Sequence, residues 1–433
     1  MKSIPNPTSW LDVLVPSSHE YCPYPKKLSP VLIKVFWLCL GIYLAILPIY
    51  HTTALRNIAF AGLIACTLIL HFRYRHPWQF PLWREWLIYA LVALVSLTYA
   101  IDPKMSLFEI KTEIVYAFIV FSIGATWIRS AEALDRLMWA AVAANIFLVG
   151  SSFAIWFSTP KDQITLVGAL NIRSGTYSTY LVTIIPFIAA LAWRQWSTQN
   201  TRRIIFLALL LLANVCVVFF TRNRQSFPAL MVECGIFGLI SIHQHFTWRR
   251  FGTLILAFVV GTLLFKTQFE SRFGDWKIAT ANDVRWQLWD FSIARIGEHP
   301  LTGSGFGRGA FSLAYPDFTK ANSALWHAHN MVLNKGIQMG LPGIAAFLVL
   351  LFSAARLLAH GLTVQQNLRP YVLASLAMLA GVFMKNMTDD FFVRDGALLF
   401  WLLAGAVAGA IRCQQIPSSP SPIQLDARSQ NSA

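Results

Sequence analysis

The 433-residue chain is 56% hydrophobic and 14% aromatic, with only 13% charged residues and a mean hydropathy of +0.53. Soluble domains carry about 25% charged residues, so this composition excludes one. It also makes the net charge of +15 a property of membrane-flanking loops rather than a nucleic-acid footprint.

Apolar runs near the roughly 20 residues needed to cross a bilayer recur along the chain. They predict an all-α, polytopic membrane protein of about twelve transmembrane helices. These lie near 31–50, 54–72, 84–101, 111–128, 136–157, 176–193, 204–220, 226–243, 251–266, 330–354, 371–387 and 393–411. One long segment, 267–329, separates helices nine and ten and is expected to contain short helices. The chain divides into an N-terminal segment, 1–30, a transmembrane domain, 31–413, and a tail, 414–433. The opening segment is polar and proline-containing, unlike a cleavable signal. The tail is rich in Ser, Pro and Gln, which points to disorder.

An even number of spans puts both termini on one side. Lys and Arg of the short segments favour that side two to one, which makes it cytoplasmic. The 222–225 turn, the 267–329 segment and the 385–394 turn then emerge together on the outer face. All six cysteines lie in spans or inner tails, so the outer segment is not a disulfide-stapled domain.

Spans seven and eight are joined by "TRNRQSFPAL". Arg222 and Arg224 stand at the outer face, where topogenic bias disfavours them. Ser226 and Pro228 suit the first turn of the following helix. Two guanidiniums at the positive end of a helix dipole make an anion site; arginines snorkelling to lipid phosphates are the alternative.

The outer segment opens with "NDVRWQLWDFSIARIGEHPLTGSGFGRGAF". Asn282 or Asp283 can cap a helix in which Trp286, Trp289, Ile293 and Ile296 share one stripe, with Arg285 and Arg295 off it. Such a helix can lie on a membrane surface. Gly303, Gly305, Gly307 and Gly309 follow, in a loop able to bring backbone N–H groups near an anion but with neither Rossmann nor Walker spacing.

"SALWHAHNMVLNKGIQMGLPG" then places His327 and His329 directly before span ten. Three uses compete. H-x-H spacing occurs in metal sites, with His299 or Asp317 as further ligands, but no tight zinc-type cluster accompanies it. A structural role at the interface is the second. General base catalysis is the reading preferred, because imidazole titrates near working pH. The helix beginning at about Asn330 turns its positive end to His329 and favours an uncharged ring there. Finally, "KNMTDDFFVRDG" collects Lys385, Asp389, Asp390, Arg394 and Asp395 on the outer side, for sugar contacts or for simple solvation.

These pieces resemble the O-antigen ligase and O-antigen polymerase superfamily. "HAHN" followed by "GIQMGLPG", with "EHPLTGSGFGRGAF" upstream, carries the likeness. "TRNRQ" stands where the family often has a Thr-x-Ser-Arg-Gly turn, and "VRWQLW" where it has an Arg-containing outer helix. Asn223 and Gln225 depart from the turn's usual Ser and Gly. Arg224 is aligned with the family arginine, and Arg222 stays as the second choice.

The resemblance implies a glycosyltransferase of the bacterial inner membrane. Such an enzyme moves a glycan from undecaprenyl diphosphate to an acceptor hydroxyl at the periplasmic face. For a ligase the acceptor is the lipid A-core oligosaccharide. His329 is then the base; Arg224 and Arg285, with Arg222, hold the diphosphate; His327, Asn330 and Asp389 complete the substrate site. No cofactor and no metal are expected, and the partners are the two glycolipids and membrane lipids, not nucleic acid. A polymerase or a protein O-oligosaccharyltransferase uses the same chemistry on another acceptor. A lipid-linked glycan transporter is the alternative of another class.

Overall fold

The computed structural model describes residues 28–49, 51–158, 172, 174–197, 199–221, 223–245, 284–321, 325–363 and 366–414. The 1–30 segment up to residue 27, the ninth span at 251–266, the first part of the outer segment, Arg222 and the tail beyond 414 lie outside them.

The regular elements among the described residues are all helices. The first half of the chain supplies α1 (Pro30–Ile46), α2 (Thr53–Tyr74), α3 (Trp83–Val95), α4 (Pro103–Ile110), α5 (Tyr116–Trp127) and α6 (Ala131–Ser158). The long helices α7 (Ser174–Ser197), α8 (Thr201–Phe220) and α9 (Ser226–His245) follow. The outer segment forms α10 (Val284–Glu298) and the single-turn helices α11 (Gly309–Ala314) and α12 (Pro316–Ala321). The chain returns through α13 (Met331–His360), α14 (Arg369–Asn386) and α15 (Arg394–Gln414). Among the described residues, six helices are long and apolar enough to cross a membrane: α2, α6, α7, α8, α13 and α15; α1 and the first part of α9 are shorter apolar helices. The protein is thus a multi-pass, all-α membrane protein.

Two expected spans differ in form. The third ends at Val95, followed by a 3-10 turn, Ser96–Thr98. The fourth begins earlier, at Pro103 behind an Asp102 cap, and passes through a π turn, Lys111–Val115, before α5. A π turn widens the helix and swings the side chains within it to new directions.

Bundle contacts pair α5 with α15, α9 and α7 with α14, and α3 and α10 with α13. Lipid tails are as apolar as leucine, so helices associate through close packing and interhelical hydrogen bonds. Both appear here. A Cβ added to Gly124 would lie 2.7 Å from Leu402 O, and one on Gly405 would strike Phe121 O, so α5 and α15 meet backbone to backbone. Asn145 on α6 and Asn214 on α8 exchange side-chain hydrogen bonds at 2.9 and 2.8 Å in a fully buried setting.

The feature that positions the outer segment is a break in α13. Gly340 takes φ 67° and ψ −163°, and Pro342 follows. Proline has no N–H for the carbonyl four residues back, and that carbonyl belongs to Gln338. The glycine-rich loop supplies what the helix loses. Gly305 N–H donates to Gln338 O at 3.1 Å, Ser304 N–H to Ile337 O at 2.9 Å, and Leu341 N–H donates to Pro300 O at 2.7 Å. Phe306 N–H meets Ser96 Oγ at 3.1 Å. The loop was expected to aim N–H groups at an anion; those of Ser304, Gly305 and Phe306 are instead engaged in seating the loop against α13 and α3. A Cβ on Gly303 or Gly340 would fall 2.4–2.6 Å from opposing backbone oxygens, which explains glycine at both.

α10 keeps only part of its expected stripe, Trp289 and Ile296, against the protein. Leu288, Ser292 and Ile296 face the protein, four residues apart, whereas Trp286 and Ile293 are exposed. The helix lies across the first half of α13, and Trp289 Nε1–H donates to Ala328 O at 3.1 Å.

Candidate active site

The two histidines sit on the short connection between α12 and α13. His329 has φ 46°, a left-handed conformation that costs a non-glycine residue about 1–3 kcal/mol. Its surroundings hold it there. The His329 N–H donates to His327 Nδ1 at 3.1 Å, and the Ala328 N–H donates to Asn334 Oδ1 at 2.8 Å. The reversal stacks the two imidazoles, with centroids 3.9 Å apart and 23° between planes. His327 is buried, edge-on to Trp326, while His329 keeps 14% of its side chain exposed.

Asn330 caps α13, its Oδ1 accepting from the N–H groups of Val332 and Leu333 at 2.9 and 3.0 Å. Its amide nitrogen donates to Met387 O at 2.7 Å and so ties this helix start to the α14–α15 turn. That turn carries Asp389, whose Oδ1 lies 3.0 Å from His329 Nδ1 and also accepts the Asp390 N–H at 3.0 Å. The neighbouring carboxylate, Asp390, accepts from Asn334 Nδ2, and its carbonyl accepts from Arg308. Both aspartates are buried, at 6% and 2% exposure, so simple solvation does not describe them.

The electrostatics separate the two rings. Burial, then the neighbouring His329 and Arg308, push His327 down to about 2, so it stays neutral and serves as an acceptor through Nδ1. Burial alone would raise Asp389. The His329 hydrogen bond and the charges of Lys385, His329 and Arg285 outweigh it and hold the carboxyl below its ordinary value. An ionised Asp389 accepts from an Nδ1–H, the tautomer that leaves the lone pair of His329 on Nε2.

Arg285, at the start of α10, is near enough for its charge to act on His327 and Asp389. Arg224 is exposed, one residue before Gln225 in the turn that opens α9. α9 packs on α14 with Glu233 against Gly381, so this turn and the Asp389 turn share one end of the bundle. The structure therefore brings His327, His329, Asn330, Asp389 and Arg285 together and sets Arg224 at the same end. Asp317, offered as a further ligand, lies on α12 and pairs with Lys320 at 3.6 Å.

Ligand atoms of His327, His329 and Asp389 all lie within 4.8 Å of one another, a donor set that suits a transition metal. In this structure His327 Nδ1 already accepts the His329 N–H and His329 Nδ1 lies 3.0 Å from Asp389 Oδ1.

Beneath the site, Lys335 meets Glu113 of the π turn and Gln338, each at 3.3 Å, and lies 4.5 Å from the Phe306 ring centroid. The pairing of Lys335 with Glu113 spans 222 residues, and no local pattern announces it. Asn334, which braces both the histidine loop and Asp390, was also missed. Its place one turn beyond Asn330 was the available signal.

Residues 207–348 match the family model described as O-antigen ligase. No curated protein matches the chain. The matched stretch holds Arg224, Arg285, His327, His329 and Asn330, and ends before Asp389.

Proposed function

We infer that this chain, whose residues 207–348 match the O-antigen ligase family model, is a glycosyltransferase-like enzyme of the O-antigen ligase and polymerase superfamily that transfers a glycan from undecaprenyl diphosphate to a sugar hydroxyl of lipid A-core, as a ligase. The observation that carries this reading is the His329–Asp389 pair at 3.0 Å, with Arg285 beside it, on a partly exposed ledge at one end of a membrane bundle. That end is the periplasmic face of the inner membrane, with both termini in the cytoplasm, on the charge bias of the short loops.

The chemistry follows from the geometry. His329 Nε2 takes the proton of the acceptor hydroxyl as its oxygen bonds the anomeric carbon of the donor glycan. The bond from that carbon to the phosphate oxygen breaks, and the diphosphate leaves with the electron pair. Arg285 and Arg224, aided by Arg222, stabilise that charge. Asp389 orients His329 and stabilises the imidazolium that forms. Asn330 keeps base and carboxylate in register through Met387, and His327 holds the left-handed turn. The arginines provide permanent positive charge, so the step needs no metal ion.

The test uses the purified full chain in nanodiscs with a carrier-linked glycan and lipid A-core. Joined product supports the ligase. A longer carrier-linked glycan identifies the polymerase instead, a glycosylated serine in an added acceptor protein identifies the oligosaccharyltransferase, and absence of all three products rejects the reading in favour of a transporter.

A further inference from the structure

A cavity of about 180 Å³ opens beside α10, apart from the histidine cluster, between the C-terminal turn of that helix, the glycine-rich loop and the first half of α13. It has room for roughly six waters at about 30 Å³ each, which is also the scale of one sugar ring. Arg295, His299, Thr302, Ser304 and Tyr315 supply polar groups and one aromatic ring, and Ile101 closes one side.

Two features decide what the cavity suits. Arg295 Nη1 is paired with Glu298 at 2.6 Å, so its positive charge is already answered, and its guanidinium lies 5.1 Å from the Phe291 centroid. A free phosphate or carboxylate therefore gains little here. The Arg295 Nε–H is buried and has no hydrogen-bond partner among the described residues. That atom has almost no surface open to the cavity, so the polar groups a ligand can reach there are those of His299, Thr302, Ser304 and Tyr315. Hydroxyl donors and acceptors, an aromatic ring and apolar walls, with local charge near balance, match an uncharged pyranose.

The position gives the match a purpose. Arg295 stands ten residues along α10 from Arg285, about 15 Å, and Ile337 stands seven residues along α13 from Asn330, about 10 Å. We propose that this cavity is a subsite for a neutral pyranose of a glycan chain whose reacting end lies at His329. The proposal rests on the glycosyl-transfer reading above. Donor and acceptor glycans offer the same ring chemistry, and kinetics distinguish them.

Saturation-transfer NMR on the full chain in nanodiscs, with methyl α-glucoside, α-galactoside, α-mannoside and α-rhamnoside as probes, tests binding directly. At least one probe should be saturated by the wild type and equally by His329→Ala. Ile101→Trp puts an indole into the cavity lining, and Thr302→Val removes a hydroxyl from that lining without changing charge. Each should weaken the signal about fivefold, the effect of one lost hydrogen bond near 1 kcal/mol. In the transfer assay both variants should raise KM for either donor or acceptor, which names the source, with kcat held within about twofold. No saturation by the wild type, equal saturation by both variants, stronger binding of methyl glucuronide than of every neutral probe, or an unchanged KM for both substrates overturns the subsite. His329→Ala separates the two ideas: it should abolish transfer and leave probe binding intact. Absent probe binding with transfer preserved sinks the subsite alone.

Discussion

Replacing Asp389 with asparagine isolates the role assigned to the pair at the centre of the site. The carboxylate oxygen near His329 Nδ1 also accepts the Asp390 N–H, each at 3.0 Å, and an amide oxygen can accept both. Asp389→Asn therefore preserves shape and removes charge. The lost interaction is a charge-assisted hydrogen bond to the imidazolium formed as the acceptor loses its proton, worth about 1.5–3 kcal/mol. At 1.36 kcal/mol per tenfold, kcat should fall by about tenfold to 150-fold, with acceptor KM within about threefold. Single-turnover transfer by purified protein in nanodiscs measures this. Stability supplies a check of sign. The folded-state value of Asp389 is depressed, so its carboxylate stabilises the fold above the ordinary value of 3.8, and that contribution is lost as pH falls through the depressed value. The variant should thus melt below the wild type at neutral pH, and the gap should close in acid below the ordinary value. A kcat within about twofold of wild type, or a loss confined to KM, refutes the assignment.

Four further outcomes are expected. His329→Ala should lower kcat by about 10²–10⁴-fold, and His327→Ala by clearly less, because the latter removes a loop brace; equal, mild losses of transfer would reject the base. Arg224→Lys and Arg285→Lys, which keep charge but lose the guanidinium fork, should each reduce transfer about tenfold or more while Arg222→Lys does less; reversal of the two turn arginines in the same assay would shift the alignment of that turn by two residues. Transfer should persist in excess EDTA, whereas loss restored by magnesium, manganese or zinc would recast the histidines and Asp389 as ligands. Gly340→Ala should lower the thermal midpoint or abolish membrane accumulation, since φ 67° and a contact of 2.6 Å to Pro300 O both oppose a side chain; a wild-type melting curve would contradict the account of the break.

Local signals carried much of the fold. Apolar runs announced most helices, Asn330 announced the start of α13, and the histidine pair stood out because no helix needs it. What escaped was non-local. The 84–101 run reads as one span, but Ser96 turns out of the helix and receives Phe306 from 210 residues away. Trp286, Trp289, Ile293 and Ile296 fit a single helical stripe by spacing, yet the protein surface that α10 meets takes up only Trp289 and Ile296 of these and adds Leu288 and Ser292. Adjacent Asp389 and Asp390 look solvated in a polar turn; the approach of His329 and Asn334, from the start of α13 and the connection before it, helps make their burial tolerable.

The break at Gly340 acts as a datum for the chemistry. Nine residues of helix, about 14 Å at 1.5 Å per residue, separate it from Asn330, and the return strand of the loop is anchored at that same level. The height of the imidazole above the membrane bundle is consequently counted in whole residues of one rigid strut. Adjusting such an enzyme to a glycolipid whose reactive hydroxyl stands higher or lower would call for lengthening or shortening that strut, with every added residue also rotating the base by 100° about the helix axis.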